Sequence, residues 1–184
     1  MQKPKNKMAV FGGGCFWCTE AVFATLKGVV SVVPGYAGGT KINPTYEEVS
    51  SENTGHAEVI KLEYAPEIIS YEDLLTVFFY THDPTTKDRQ GNDIGSQYRS
   101  IILYADDEQK AIAENFIAEL NLAAKPPSEE NKPVVTELKL LDKFYEAEKY
   151  HKEYFKKNPN QAYCQLVIPP KIKKLEKRFK ELIR

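Results

Sequence analysis

The chain has 184 residues, of which 42% are hydrophobic and 28% charged, with 25 basic residues against 26 acidic ones. That length suits one domain whose core needs no metal or disulfide staple. The near-cancelling charge excludes a global field that would select nucleic acid or an anionic membrane, and no run approaches the roughly twenty apolar residues that span a bilayer.

Lys7 to Phe11 reads as a short buried strand ending at Gly12, Gly13 and Gly14. Cys15 to Leu26 has helical spacing, with Phe16, Ala21, Val22 and Leu26 apolar and Gly28 as the stop. Val29 to Val33 is a second, β-branched strand, closed by Pro34-Gly35. Tyr36 to His56 is a long polar stretch, of a length that marks a functional loop in a compact domain. Val59 to Tyr64 alternates apolar and charged residues, which predicts a strand with one buried face. Ser70 caps a predicted helix from Tyr71 to Thr81 that turns Leu74, Leu75, Phe78 and Phe79 inward.

A second polar loop, His82 to Gln97, leads to a strand over Arg99 to Tyr104. Asp106 to Leu122 is an amphipathic helix, Lys125 to Lys132 a surface loop and Val134 to Leu138 a strand. Helices are expected over Phe144 to Lys156 and over Ile172 to Ile183, the latter with a basic, solvated face. The order predicts an α+β fold, a single domain over residues 1–184. Its mixed sheet is built on a split β-α-β, ferredoxin-like core with flanking helices, and its long polar loops meet the turn at Cys15. The N-terminus has no apolar core before a cleavage site, which argues against a secretory signal. Three cysteines, an odd count in a chain that needs no staples, point to a reducing compartment, the cytoplasm.

The stretch GGGCFWC at 12–18 concentrates the chemistry. Cys15 stands between a strand and a helix, where free N–H groups and the helix dipole favour a thiolate. The glycines allow the tight turn and leave the sulfur uncovered. Cys18 lies one helical turn on, in the C-x-x-C spacing that dithiol couples and metal sites share. With Cys164 and three histidines alone to complete a zinc set, no metal is expected. Phe16 and Trp17, the single tryptophan, suit the wall of a pocket for a small apolar group.

GCFWC, followed by NPTYEEV (43–49), TGHAEVIKLEY (54–64), QGNDIGSQYRS (90–100) and AYCQLV (162–167), resembles peptide methionine sulfoxide reductase A. The departure is Cys18, where many members of that family carry glycine or another small residue. The resemblance implies an enzyme that reduces the S epimer of methionine sulfoxide, free or in oxidised proteins. It implies no bound cofactor, a thioredoxin or similar dithiol as external reductant, and a monomeric chain. By position Cys15 is the nucleophile, and Phe16 and Trp17 line the pocket for the S-methyl group. Glu58, Tyr46, Tyr98 and Asp93 match the family's polar active-site residues.

The chemistry asks for each of them. A thiolate attacking a sulfoxide sulfur needs the oxygen to leave protonated, hence a general acid. Glu58, buried beside aromatics, can keep its proton near neutral pH. Tyr46 and Tyr98 bring hydroxyls to the oxygen, Asp93 orients water or the substrate backbone, and His56 positions a loop. Attack leaves Cys15 as a sulfenic acid, which a second thiol condenses with to form a disulfide. Cys164 follows the polar segment KNPNQAY, expected to be mobile, and its position resembles the family's resolving cysteine. Cys18 is nearer, but a helical i, i+3 pair must distort to reach disulfide geometry. Cys164 is therefore favoured, with Cys18 as the alternative and a relay from Cys15 through Cys18 to Cys164 left open. The rival function is a generic C-x-x-C thiol-disulfide oxidoreductase, which needs neither Glu58 nor the paired tyrosines.

Overall fold

A computed structural model describes residues 5–123 and 132–184. The loop expected over Lys125 to Lys132 lies outside the described residues but for Lys132 itself. The first half of the chain forms β1 (Lys7–Gly12), α1 (Phe16–Phe23), β2 (Val29–Ala37), α2 (Tyr46–Ser50), β3 (Ala57–Tyr64) and α3 (Tyr71–Thr81). A small hairpin of β4 (Arg89–Gln90) and β5 (Asp93–Ile94) leads through a 3₁₀ turn at Ser96–Tyr98 to β6 (Ile101–Tyr104) and α4 (Asp107–Ala123). The remainder is β7 (Glu137–Leu140), β8 (Phe144–Glu146), α5 (Tyr154–Lys157), α6 (Ala162–Leu166), α7 (Ile168–Arg178) and a last 3₁₀ turn.

Six strands make one mixed sheet in the order β7-β6-β1-β3-β2-β8. Every neighbouring pair is antiparallel except β6 and β7. The helix α1 joins β1 to β2 while β3 lies between them, so the β-α-β unit is split. Period-two alternation sorts the side chains between the faces. Ala9, Phe11, Ile60, Leu62 and Tyr64 pack beneath the helices, and Val10, Ala37, Ala57 and Val59 face the other way.

Three departures from the sequence reading have physical causes. At its start β3 is buried on both faces, because Leu141 and Phe144 cover the side of Ala57 and Val59, while Lys61 and Glu63 keep the expected alternation. β2 runs through Pro34-Gly35 to Ala37. Pro34 lacks an N–H, but its carbonyl accepts from Ala147 at 3.0 Å, and β8 pairs along Gly35–Ala37. The helix expected over Phe144 to Lys156 is instead the strand β8, a turn and the single helical turn α5. Pairing with β2 satisfies the β8 backbone there, and a Cβ on Gly35 would meet the Phe144 ring and the Tyr145 carbonyl at 2.4 Å.

α3 begins at Ser70 as expected, and it does so through a reciprocal cap. The Ser70 hydroxyl accepts from the Asp73 N–H at 3.0 Å while Asp73 Oδ2 accepts from the Ser70 N–H at 3.0 Å. Ser70→Ala should lower stability by about 1 kcal/mol. A urea unfolding midpoint reads this, and an unchanged midpoint would show that the cap contributes nothing to the fold.

Candidate active site

The turn into α1 is built by glycines that the backbone requires. A Cβ on Gly12 would lie 2.8 Å from the Glu58 carbonyl oxygen, so the two strands could not approach as they do. Gly14 has φ +93°, a left-handed value that L side chains rarely adopt. Cys15 then precedes the helix with extended backbone, φ −57° and ψ 126°, and its carbonyl accepts from the N–H groups of Cys18 and Thr19. The Phe16 N–H donates across the sheet to Glu58 Oε2 at 3.0 Å.

Cys15 is 8% exposed, and Cys18 and Glu58 are 2% exposed. Burial pushes the Glu58 carboxyl up to about 8, against the Phe16 N–H and with the charges of Asp93 and Cys18 in support. Glu58 therefore holds its proton at neutral pH. The same burial, with the neighbouring Cys18 and Glu58, pushes the Cys15 thiol well above its ordinary range. This reverses the expectation from the helix N-terminus: desolvation outweighs the dipole here. Cys18 is instead held down to about 7, first by the hydrogen bond of the Cys15 thiol and against burial, with the Lys171 ammonium assisting. A cavity of about 10 Å³ lies beside it, lined by Cys18, Thr19, His82 and Lys171.

Aromatic rings enclose one side. Phe16 packs at 5.8 Å from Tyr36 and 4.9 Å from His151. Trp17 stacks flat on Tyr154 at 3.8 Å and donates its indole N–H to His151 Nδ1 at 3.0 Å. Glu148 ties two tyrosines into place, accepting from the Tyr36 hydroxyl at 2.7 Å and the Tyr46 N–H at 2.9 Å. Burial and then the charge of Glu58 push the Tyr46 and Tyr98 hydroxyls upward, so both stay protonated donors close enough to feel that carboxyl. His56 accepts from the Gly39 N–H at Nδ1 and reaches the Lys41 carbonyl through Nε2, which pins the loop after β2.

The C-terminal segment is packed into the site, contrary to the mobility expected of it. Cys164 is wholly buried on α6, in one cluster with Cys15, Cys18 and Ile168, edged by Trp17 and Tyr98. Burial raises its thiol first, and the charge at Cys18 raises it further. All three cysteines are free thiols. The preceding Tyr163 bridges two expected site residues, its hydroxyl donating to Asp93 Oδ2 at 2.7 Å and accepting from the Cys18 thiol at 3.5 Å. Asp93 thus holds a protein hydroxyl.

The structure brings Cys15, Phe16, Trp17, Cys18, Glu58, Tyr98 and Cys164 into contact or direct electrostatic reach of one another. Sequence reasoning missed Tyr36, Glu148, His151, Tyr154 and Tyr163. For Glu148, His151 and Tyr154 the one signal was the density of aromatic residues between Phe144 and Phe155, which the helix reading absorbed; nothing singled out Tyr36 or Tyr163. Among the described residues no group of three or more His, Cys, Asp or Glu side chains is placed to hold a metal ion. Nor is any described helix long and apolar enough to cross a membrane.

A family model for peptide methionine sulfoxide reductase matches residues 7–183. The peptide methionine sulfoxide reductase MsrA of Sulfolobus acidocaldarius is 57% identical over 175 residues, covering 94% of this chain and 95% of its own. That of Saccharolobus solfataricus is 52% identical over 178 residues, covering 97% of each. Among solved structures, methionine sulfoxide reductase A of Corynebacterium diphtheriae is similar with a TM-score of 0.75 at 33% identity, over 87% of this chain and 78% of that one. Reduced Mxr1 from Saccharomyces cerevisiae is similar with a TM-score of 0.72 at 32% identity, over 87% and 90%.

The burial of Glu58 has a measurable sign. Between about pH 4.5 and about pH 8 the folded chain retains a proton that the unfolded chain has lost, so stability falls as pH rises through that window. Glu58→Gln lacks this component. Its urea midpoint should exceed that of the wild type at about pH 9, with the gap shrinking toward pH 4.5. A gap that does not vary with pH would contradict the raised carboxyl.

Proposed function

Since this chain belongs to the peptide methionine sulfoxide reductase family, we propose that Cys15 attacks the sulfoxide sulfur while Glu58 supplies the proton that lets the oxygen leave. The enzyme reduces methionine sulfoxide to methionine; the reading adds the S epimer, free or in oxidised proteins, as substrate. The observation that carries it is the buried Glu58 carboxyl bonded to the N–H of the residue after Cys15.

In the first half-reaction the oxygen passes to sulfur of the enzyme: Cys15–SH and the sulfoxide become Cys15–SOH and the thioether. Cys15 is neutral at rest, so its proton must leave as it attacks, and the adjacent Cys18, poised at about 7, is the acceptor at hand. Phe16 and Trp17 form the wall for the S-methyl group, and the Tyr46 and Tyr98 hydroxyls donate to the oxygen as charge grows on it. Asp93 acts through Tyr163, which it orients.

In the second half-reaction a thiol condenses with Cys15–SOH, forming an S–S bond and releasing water. Two features support Cys18 as first partner, with Cys164 next in a relay. Cys18 has the lower pKa of the two candidates, and thiolate character drives this attack. Cys15 lies before the helix with extended backbone, so the pair escapes the regular i, i+3 geometry that would strain a disulfide. Cys164 then attacks the Cys18 sulfur, freeing Cys15, and a thioredoxin-like dithiol protein opens the Cys18–Cys164 bond. The reading takes the chain as one catalytic domain, a cytoplasmic monomer that binds no nucleic acid. A generic C-x-x-C oxidoreductase would have no use for a proton kept on Glu58.

Glu58→Gln should lower kcat by about 10²- to 10⁴-fold with methionine S-sulfoxide, and wild-type activity should decline as pH rises through about 8. An unchanged kcat in that variant would remove Glu58 from the chemistry. For the thiols, one equivalent of sulfoxide is added without reductant and the peptides are mapped by mass spectrometry. Cys18–Cys164 is expected in the wild type and Cys15–Cys18 in Cys164→Ser. A Cys15–Cys164 disulfide formed at the wild-type rate in Cys18→Ala would overturn the relay.

A further inference from the structure

The Trp17 indole is gripped from two directions by the chain that runs from the turn after β8 into the start of α5. Tyr154 lies against its face at 3.8 Å and 5° between planes, and His151 Nδ1 meets its N–H at 3.0 Å. An indole nitrogen only donates, so Nδ1 is the acceptor and the imidazole proton sits on Nε2. The two contacts constrain different motions. A parallel stack fixes the tilt of a ring and leaves it free to slide and turn in its own plane, whereas the N–H bond fixes its direction within that plane.

His151 is an expensive residue at this position. It is 1% exposed and packed among the rings of Phe16 at 4.9 Å, Tyr46 at 4.6 Å and Tyr150 at 4.2 Å. Its Nε2 has no hydrogen-bond partner among the described residues, and the nearest carboxylate oxygen, Glu148 Oε2, stands 3.8 Å away. An unpartnered buried N–H destabilises a fold, and a phenyl ring would fill the space without one. What the imidazole supplies that phenyl cannot is the Nδ1 acceptor.

We propose that His151 is a positioning residue for sulfoxide reduction, holding the Trp17 indole by its N–H and so setting the width of the pocket that takes the substrate's S-alkyl group. This rests on reading Trp17 as a wall of that pocket. His151 bonds to neither Cys15 nor Glu58, so its effect falls on binding and selectivity rather than on the chemical step. With the acceptor gone the indole slides on Tyr154, contact with a methyl group weakens, and a larger alkyl group is admitted.

Because Trp17 is the single tryptophan, its fluorescence reports on the tie directly. His151→Phe keeps a ring and loses the acceptor; His151→Leu, also without one, serves if the phenyl variant does not fold. His151→Asn is the conservative variant, since its amide oxygen can take the place of Nδ1. The acceptor-less variants should show tryptophan emission more readily quenched by acrylamide and a KM for methionine sulfoxide about fivefold higher, as for one lost hydrogen bond. Their kcat should stay within about twofold, and the kcat/KM ratio of the S-ethyl homologue to the S-methyl substrate should rise several-fold. His151→Asn should return each value toward the wild type.

Unchanged quenching in both acceptor-less variants would overturn the tie, and changed quenching with unaltered alkyl selectivity would overturn the positioning role. Trp17→Ala separates the premise from the proposal. If it leaves alkyl selectivity unchanged, the pocket reading fails; if it shifts selectivity and the His151 variants do not, the assignment of His151 alone fails.

Discussion

One hydrogen bond organises this molecule, from the Phe16 N–H at the start of α1 to Glu58 Oε2 on β3, 42 positions away. A carboxylate that accepts two or three such bonds is strongly acidic; a buried one that accepts a single bond is not. The lone donor therefore holds the carboxyl in place without stabilising its charge enough to ionise it. Gly12 is part of the same arrangement, because a side chain there would force the Glu58 backbone away from the turn. Burial that suits Glu58 works against a thiolate at Cys15, and the conflict is resolved one helical turn away. Cys18 is the thiol held low, to about 7, with Lys171 of α7 assisting.

The last forty or so residues supply the dryness on which those shifts depend. β8 pairs with the far end of β2, and the chain beyond it delivers Glu148, His151, Tyr154, Tyr163 and Cys164 to one place. Glu148 couples this segment to both β2 and α2 through Tyr36 and Tyr46. Cys15, Cys18 and Glu58 thus come from the first hundred residues, and Cys164 with several of the rings that exclude water from them comes from the C-terminal end. Loosening either part would change the proton affinities in the other.

What could be read in the sequence was what depends on near neighbours. Ser70 announces α3 because the cap, the acidic first turn and the inward stripe of Leu74, Leu75 and Phe78 all lie within one helix. Cys15 announces itself because three glycines before a cysteine have no use in an ordinary strand. β3 was half-read: its alternation is local, but the second cover over Ala57 and Val59 comes from Leu141 and Phe144, some eighty positions on. The stretch from Phe144 misled because aromatic spacing compatible with a helix was serving a strand edge and a ring cluster. Cys164 misled for the opposite reason, since KNPNQAY is polar by composition while Tyr163 and Cys164 are packed by distant partners. The sign of the Cys15 shift was beyond reach for that same cause: a dipole is visible in the sequence, and desolvation by remote rings is not.

Three thiols in one buried cluster invite the question of what keeps the third from reacting first. Cys164 is restrained by two effects, its own desolvation and the charge on Cys18. In the proposed relay, Cys18 condenses with Cys15–SOH with loss of water and becomes part of a neutral disulfide that can no longer carry charge. One of the two effects opposing a Cys164 thiolate vanishes at the moment its target forms. In this proposal the order of the steps is set by electrostatics: the third thiol is released by the bond it has to open.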